Sequence, residues 1–142
     1  MSAFDLAVKS LLLEEGGYVN DPRDPGGETQ FGISKRSYPN LDIRNLAEQD
    51  AVAIYRRDFW SRIQGDALPP ALAIAVLDAA ANQGPVPAVL DFQKTLGVAD
   101  DGIVGPRTIA AAQAVADPAD ALTRFFGRRA LRYALSRQVS IF

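Results

Sequence analysis

The chain of 142 residues contains no cysteine and no histidine, and it carries one methionine and one tryptophan. Without cysteine there is no disulfide framework and no thiol nucleophile. Without histidine the imidazole base of a serine-type triad is missing, and with both absent a structural zinc site loses its usual ligands. Nowhere do about 18 apolar residues run together, as a membrane-spanning helix requires. The richest apolar stretch, Ala71 to Ala81, is short, carries Asp78 and reads as a buried helix. The N-terminus has no signal-peptide core, since Asp5 and Lys9 interrupt its apolar residues. Net charge of one sign is also scarce. Fifteen basic residues against 17 acidic leave −2, which argues against binding driven by nucleic-acid phosphates. Chemistry must therefore run on carboxylates, hydroxyls, amides, Lys, Arg or Tyr. The expectation is a soluble protein made in the cytoplasm, with no cofactor, no metal, no membrane insertion and no nucleic-acid partner, acting as a monomer.

What charge there is lies unevenly. Residues 118–142 hold five arginines (124, 128, 129, 132 and 137) against Asp120, while the first 117 residues hold ten basic and sixteen acidic groups. Arg124, Arg128 and Arg132 recur every fourth position, which reads as a solvated helix face, with an anionic partner as the alternative. The apolar stripe Phe4, Ala7, Val8, Leu11 and Leu12 predicts a helix from Ala3 to Glu15, stopped by Gly16-Gly17. Residues 18–33 mix turn chemistry with strand-forming residues and predict a small β-hairpin region. Asn45 with Glu48 three residues on reads as a capping box before a helix carrying Ala51, Ile54, Tyr55, Phe59 and Ile63. Pro69-Pro70 opens a helix to about Gln83, and Pro87 a shorter one to Leu96. Arg107 to Ala116 forms the next, and Asp117-Pro118 launches the last. The fold class is mainly α, of α+β type, with helices around one small β-region.

Glu14 and Glu15 stand immediately before Gly16-Gly17, at the negative end of a helix dipole, where each costs a few tenths to about 1 kcal/mol. Such a placement raises a carboxyl pKa, more so beside apolar neighbours, and a raised carboxyl suits a general acid near neutrality. The plainer reading is an exposed Glu whose cost is tolerated. Asp24-Pro25-Gly26-Gly27 suits a type II turn, a structural role that would by itself explain Asp24. The spacing of Asn20, Asp21, Asp24 and Glu28 does not match a calcium-binding EF-hand loop. If the helix end and the hairpin fold together, Glu15 and Asp24 face one cleft, and paired carboxylates flanking a sugar bond are the apparatus of glycoside hydrolysis. Thr29 could hold the attacking water.

The run from Glu15-Gly16-Gly17-Tyr18 through Asn20-Asp21-Pro22-Arg23-Asp24-Pro25-Gly26-Gly27-Glu28-Thr29-Gln30-Phe31-Gly32-Ile33-Ser34 resembles the N-terminal signature of the family-108 glycoside hydrolases. These are N-acetylmuramidases (lysozymes) encoded mostly by phages and prophages. The resemblance continues at Asp78-Ala79-Ala80-Ala81-Asn82-Gln83-Gly84-Pro85, at Phe92-Gln93-Lys94-Thr95-Leu96-Gly97-Val98, and at Asp101-Gly102-Ile103-Val104-Gly105-Pro106-Arg107-Thr108. The last part looks like the family's peptidoglycan-binding-like region. The resemblance implies a lysozyme-like fold and cleavage of the β-1,4 bond between N-acetylmuramic acid and N-acetylglucosamine. It makes Glu15, not Glu14, the catalytic acid. Phage-type lysozymes are similar at greater distance, using a Glu, an Asp nine residues on and then a Thr; Glu15, Asp24 and Thr29 follow that order, with the Thr one residue closer.

Three further residues are candidates for substrate contact. Trp60 suits a sugar-stacking platform, although a lone Trp at helical spacing also suits a core. Tyr18 either lines the cleft or staples the hairpin. Asp78 and Asn82 share a helix face that should be buried and hydrogen-bonded, pinning the Glu15 helix or the hairpin, with contact from Asn82 to an N-acetyl group as the alternative. Residues 1–86 read as the catalytic lobe and 87–142 as a helical second lobe. Because family members usually run on for some tens of residues, that lobe reads as shortened at Ser140-Ile141-Phe142. The resemblance implies an endolysin acting on peptidoglycan after holin-type release. A wall-binding remnant without activity and a secretion-linked accessory muramidase are the alternatives.

Overall fold

Helix α1 spans Ala3–Glu15, the bounds that its apolar stripe predicts. The Ser2 hydroxyl accepts the Asp5 N–H at 3.1 Å, and the Asp5 carboxylate accepts the Ser2 N–H at 3.0 Å, a reciprocal cap on two otherwise unpaired amides. At the far end Gly16 takes φ +63° and its N–H closes on the Leu12 carbonyl. The computed structural model describes residues 1–23 and 26–141, with side chains as far as Leu135; Asp24, Pro25, Phe142 and the Arg137 side chain lie outside the described residues.

The predicted β-region is a three-stranded antiparallel sheet of β1 (Val19–Asn20), β2 (Glu28–Gln30) and β3 (Ile33–Ser34), in that order. Thr29 pairs with Val19 on one side and Ser34 on the other, which makes it the centre of the sheet. Phe31 and Gly32 join β2 to β3 with φ of +52° and +79°. Positive φ at both central residues marks the mirror-image turn that matches strand twist. Ile33 and Ile43 are buried and root the sheet in the core.

The next helix departs from expectation. Helix α2 runs Glu48–Ile54 with Ala47 at its cap and no capping side chain. Asn45 is not the cap, because its amide donates to the Asp42 carboxylate at 2.9 Å in a turn of its own. After Ile54 the coil widens into a π-helix over Tyr55–Trp60, and both end residues are buried. Helix α3 (Pro70–Gln83) keeps its predicted bounds and is the central element, buried at Leu72, Ala73, Ala75, Val76, Leu77, Ala79 and Ala80. Its alanines let neighbours close in at interior density. It packs against α1, the π-helix, α4 (Pro85–Leu96) and α6 (Pro118–Ile141). Helix α4 starts at Pro85 and not at Pro87, since a proline in the first turn forfeits no helical hydrogen bond. Helix α5 (Pro106–Gln113) is shorter than predicted at its end.

Between α4 and α5 the chain is knotted by Gln93, a fully buried amide. Its Nε2 donates to the Asp101 carboxylate, the Ile103 carbonyl and the Thr108 hydroxyl at 3.0, 2.9 and 3.1 Å, and its Oε1 accepts the Gly102 N–H. Helix α6 begins at its predicted cap, where the Asp117 carboxylate accepts the Asp120 N–H. Of the arginines expected on a solvated face, Arg128 is exposed, while Arg124 and Arg132 also reach back to the body of the protein, as does Arg129. Arg124 donates to the Thr95 carbonyl, Arg129 to Asp78 at 2.9 Å, and Arg132 to both oxygens of Asp91. They dock α6 on α3 and α4, reinforced by the edge-to-face rings of Phe125 and Phe92. One cluster of buried apolar residues runs from Phe4 to Phe125, and residues 86 and 87 both lie in the first turn of α4. No helix among the described residues is long and apolar enough to cross a membrane.

Candidate active site

Glu15 is the last residue of α1, and no basic residue accompanies it in the final turn. Its side chain is partly buried against the tip of the hairpin. A Cβ on Gly32 would stand 3.0 Å from Glu15 Cγ and 3.2 Å from its Cβ. Tyr55 closes the same point from the π-helix, its hydroxyl donating to the Phe31 carbonyl at 2.7 Å. Burial, first, and then the negative charges of Glu14 and Asp78 push the Glu15 carboxyl above its ordinary range. The negative end of the α1 dipole acts in the same direction. Thus a carboxyl that holds its proton longer than usual faces a small β-sheet.

Tyr18 stands just beyond the helix, exposed. Its hydroxyl donates to Glu28 Oε2 at 2.6 Å, and that bond, more than burial, holds its pKa up. Arg44 lies over its ring, 5.8 Å from the centroid. Tyr18 therefore ties the chain leaving α1 to β2. Thr29, at the middle of β2, is partly buried. Asp24 lies outside the described residues, so its relation to Glu15 is an expectation only. Asp21 is engaged locally: its carboxylate accepts the Arg23 N–H at 2.9 Å and pairs with the Arg23 guanidinium, which holds its pKa down. The model of the family described as glycosyl hydrolase 108 matches residues 8–84, more than half of the chain, including all of these groups.

The chain belongs to the glycosyl hydrolase 108 family. It is similar in structure to SagA of Brucella abortus, with a TM-score of 0.80 and 33% identity, over 89% of this chain and 76% of that one. No curated protein matches it. The fold is the mainly α, lysozyme-like one that the sequence predicts, and membership of the glycosyl hydrolase 108 family makes the chain a glycosidase by descent.

Within this glycosyl hydrolase 108 chain Trp60 and the Asp78–Asn82 pair stand otherwise than a sugar platform and a buried polar pair would. Trp60 is a core residue and not an open stacking platform: it is 2% exposed, edge-on to Phe4 at 5.4 Å, with its indole N–H donated to Asp66 at 2.9 Å. Gly65 lies flat on the indole, where any Cβ would collide with the ring. Asp78 and Asn82 do not form a buried pair that pins α1 or the hairpin. Asp78 takes Arg129 from α6, while the exposed Asn82 donates to the Asp78 carbonyl within its own helix. Asn82 lines a groove of about 690 Å³ with Gln83, Pro87, Phe126 and Tyr133, between α3, α4 and α6. The structure thus brings Glu15, Gly32 and Tyr55 together and leaves Trp60 inside. Tyr55 and Gly32 escaped the sequence reading as site residues. The signal present was Phe31-Gly32, a two-residue loop between strand-forming segments. Among the described residues no group of three Asp or Glu is placed to hold a metal ion.

Proposed function

We propose that this chain is a peptidoglycan hydrolase that cleaves the β-1,4 bond between N-acetylmuramic acid and N-acetylglucosamine, with Glu15 as general acid. The observation that carries the reading is the partly buried Glu15 carboxyl, held above its ordinary pKa by burial and by its negative neighbours. A carboxyl that stays protonated toward neutrality can give its proton to the glycosidic oxygen as the C1–O bond breaks. The sugar left at C1 carries oxocarbenium character and takes a water. Asp24 is the base for that water, and Thr29, central in the sheet, orients it. This division of labour inverts the anomeric centre; a carboxylate separation of about 5–5.5 Å would instead favour retention. No cofactor enters the reaction. The biological setting that agrees with this chemistry is endolysin action on the wall, as a monomer, after holin-type release.

The test is mass spectrometry of fragments released from purified peptidoglycan, with Glu15→Gln in parallel. Disaccharide-peptides with a muramic acid reducing end, absent from the variant, are expected. Equal release by both proteins would remove Glu15 from the chemistry, and no release by a folded parent chain would favour a binding module.

A further inference from the structure

The tip of the β2–β3 hairpin is held more firmly than a connection requires. Phe31 takes φ +52°, a conformation that a bulky side chain adopts only under constraint from its surroundings. The constraint is Tyr55. Its ring is 1% exposed, and its hydroxyl donates to the Phe31 carbonyl at 2.7 Å. A phenylalanine at 55 would fill the same space beside Phe59, whose ring centroid is 5.3 Å away, without burying a polar group. The hydroxyl therefore does something other than fill the core. What it holds is the turn that touches Glu15: a Cβ on Gly32 would stand 2.5 Å from the Tyr55 hydroxyl oxygen and 3.0 Å from Glu15 Cγ. Three groups converge on a point where only glycine leaves room. Tyr55 reaches it from the start of the π-helix, a kind of helical irregularity that recurs at functional sites.

We propose that Tyr55 is a positioning residue for the acid: its hydroxyl draws the Phe31–Gly32 turn down onto the Glu15 side chain, so that the hairpin tip walls off one flank of the carboxyl from water. The inference rests on Glu15 being the proton donor proposed above. The charged and titratable surroundings agree with a wall of this kind. Burial is the first cause of the upward Glu15 titration, ahead of Glu14 on α1 and Asp78 on α3, and Asp78 is itself paired with Arg129 of α6. On the sheet side, Glu28 bonds Tyr18 and Lys35 donates to the Leu41 carbonyl. Burial, Glu15 and Tyr38 all push Tyr55 upward, so its phenol remains a donor at any working pH.

Tyr55→Phe tests the proposal in the full chain. The Glu15 carboxyl is followed by carbon-13 NMR through a pH titration, beside the pH profile of glycan release. With the turn released, water reaches the carboxyl and its midpoint falls toward the ordinary Glu range. The alkaline limb of activity moves down with it, and kcat at neutral pH falls by about tenfold with KM little changed. A purely structural hydroxyl lowers the melting temperature and leaves the Glu15 midpoint in place, and that result overturns the proposal. Gly32→Ala displaces the same turn from the hairpin side and should move Glu15 in the same direction; it carries the test should Tyr55→Phe fail to fold. Unchanged turnover in Glu15→Gln overturns the reading of Glu15 and this inference with it. An inactive Glu15→Gln beside an unmoved Glu15 titration in Tyr55→Phe overturns the positioning role alone.

Discussion

Replacing Arg132 with leucine should loosen the last helix more than any other change on its arginine face. Arg132 grips both oxygens of Asp91 at 2.8 and 2.9 Å, in the forked geometry that makes such bonds strong. The Asp91 side chain is 6% exposed and that of Arg132 38%, so the pair is buried on one side and wet on the other. Removing one partner of a fully buried pair costs about 3–5 kcal/mol, because a charge is left without compensation. The exposure of Arg132 lets water reach its place, which reduces the expected loss to about 2–3 kcal/mol. Unfolding entropy of about 2.1 cal/mol/K per residue gives about 0.3 kcal/mol/K for a chain of this length, hence a fall in Tm of about 7–10 °C. Urea and thermal unfolding of Arg132→Leu, Asp91→Leu and the double variant measure it. The double variant, with no stranded charge, should be more stable than the single Arg132→Leu. An Arg132→Leu chain within about 0.5 kcal/mol of the parent, or singles that simply add in the double, would refute the reasoning.

Two other outcomes follow from the same structure. Glu15 is raised on folding, so its ionised form is the one the fold disfavours; the penalty is absent at low pH and grows as pH rises from the ordinary Glu range through the folded value. Glu15→Gln should accordingly match the parent's Tm near pH 4 and exceed it by about 1–3 °C at pH 7, the scale of a carboxylate at a helix C-terminus; a gain of equal size at both pH values would contradict it. Gly65→Ala drives a methyl into the Trp60 indole and should cost about 1–3 kcal/mol, with an altered Trp emission spectrum, whereas an unchanged spectrum and Tm would mean that the ring yields freely.

Local signals in this chain proved legible and distant ones did not. The apolar stripe and the Gly16-Gly17 stop bound α1, and Pro69-Pro70 with Gly84 bound α3, because caps and periodicity act within a turn or two of the residue that carries them. Asn45 misled for the same reason: it has two local partners to choose from, and Asp42 lies close enough to win. The π-helix leaves no mark in a 3.6-residue period, so Tyr55 and Trp60 read as ordinary helix positions. Arg124 and Arg132 looked solvated because their partners, the Thr95 carbonyl and Asp91, lie 29 and 41 residues away in the chain. At the candidate site, Glu15 was visible as a charge in the wrong place on its own helix. Its surroundings were not, since the bond from Tyr55 to Phe31 spans 24 residues and exists only once the hairpin has folded back.

The buried Gln93 amide has a consequence for ionic strength. An amide holds the loop between α4 and α5 through a carbonyl, a hydroxyl and a backbone N–H, with the Asp101 carboxylate as its single charged contact. Salt screens exposed charges over a distance of about 8 Å at 0.15 M and leaves buried neutral bonds almost untouched. Helix α6, by contrast, is fastened to α3 and α4 by two guanidinium–carboxylate pairs that reach the surface. The two structures beside α4 therefore answer differently to the same solution: concentrated salt slackens the helix, while in the loop it reaches the exposed Lys94–Asp100 pair and leaves the buried amide bonds as they were.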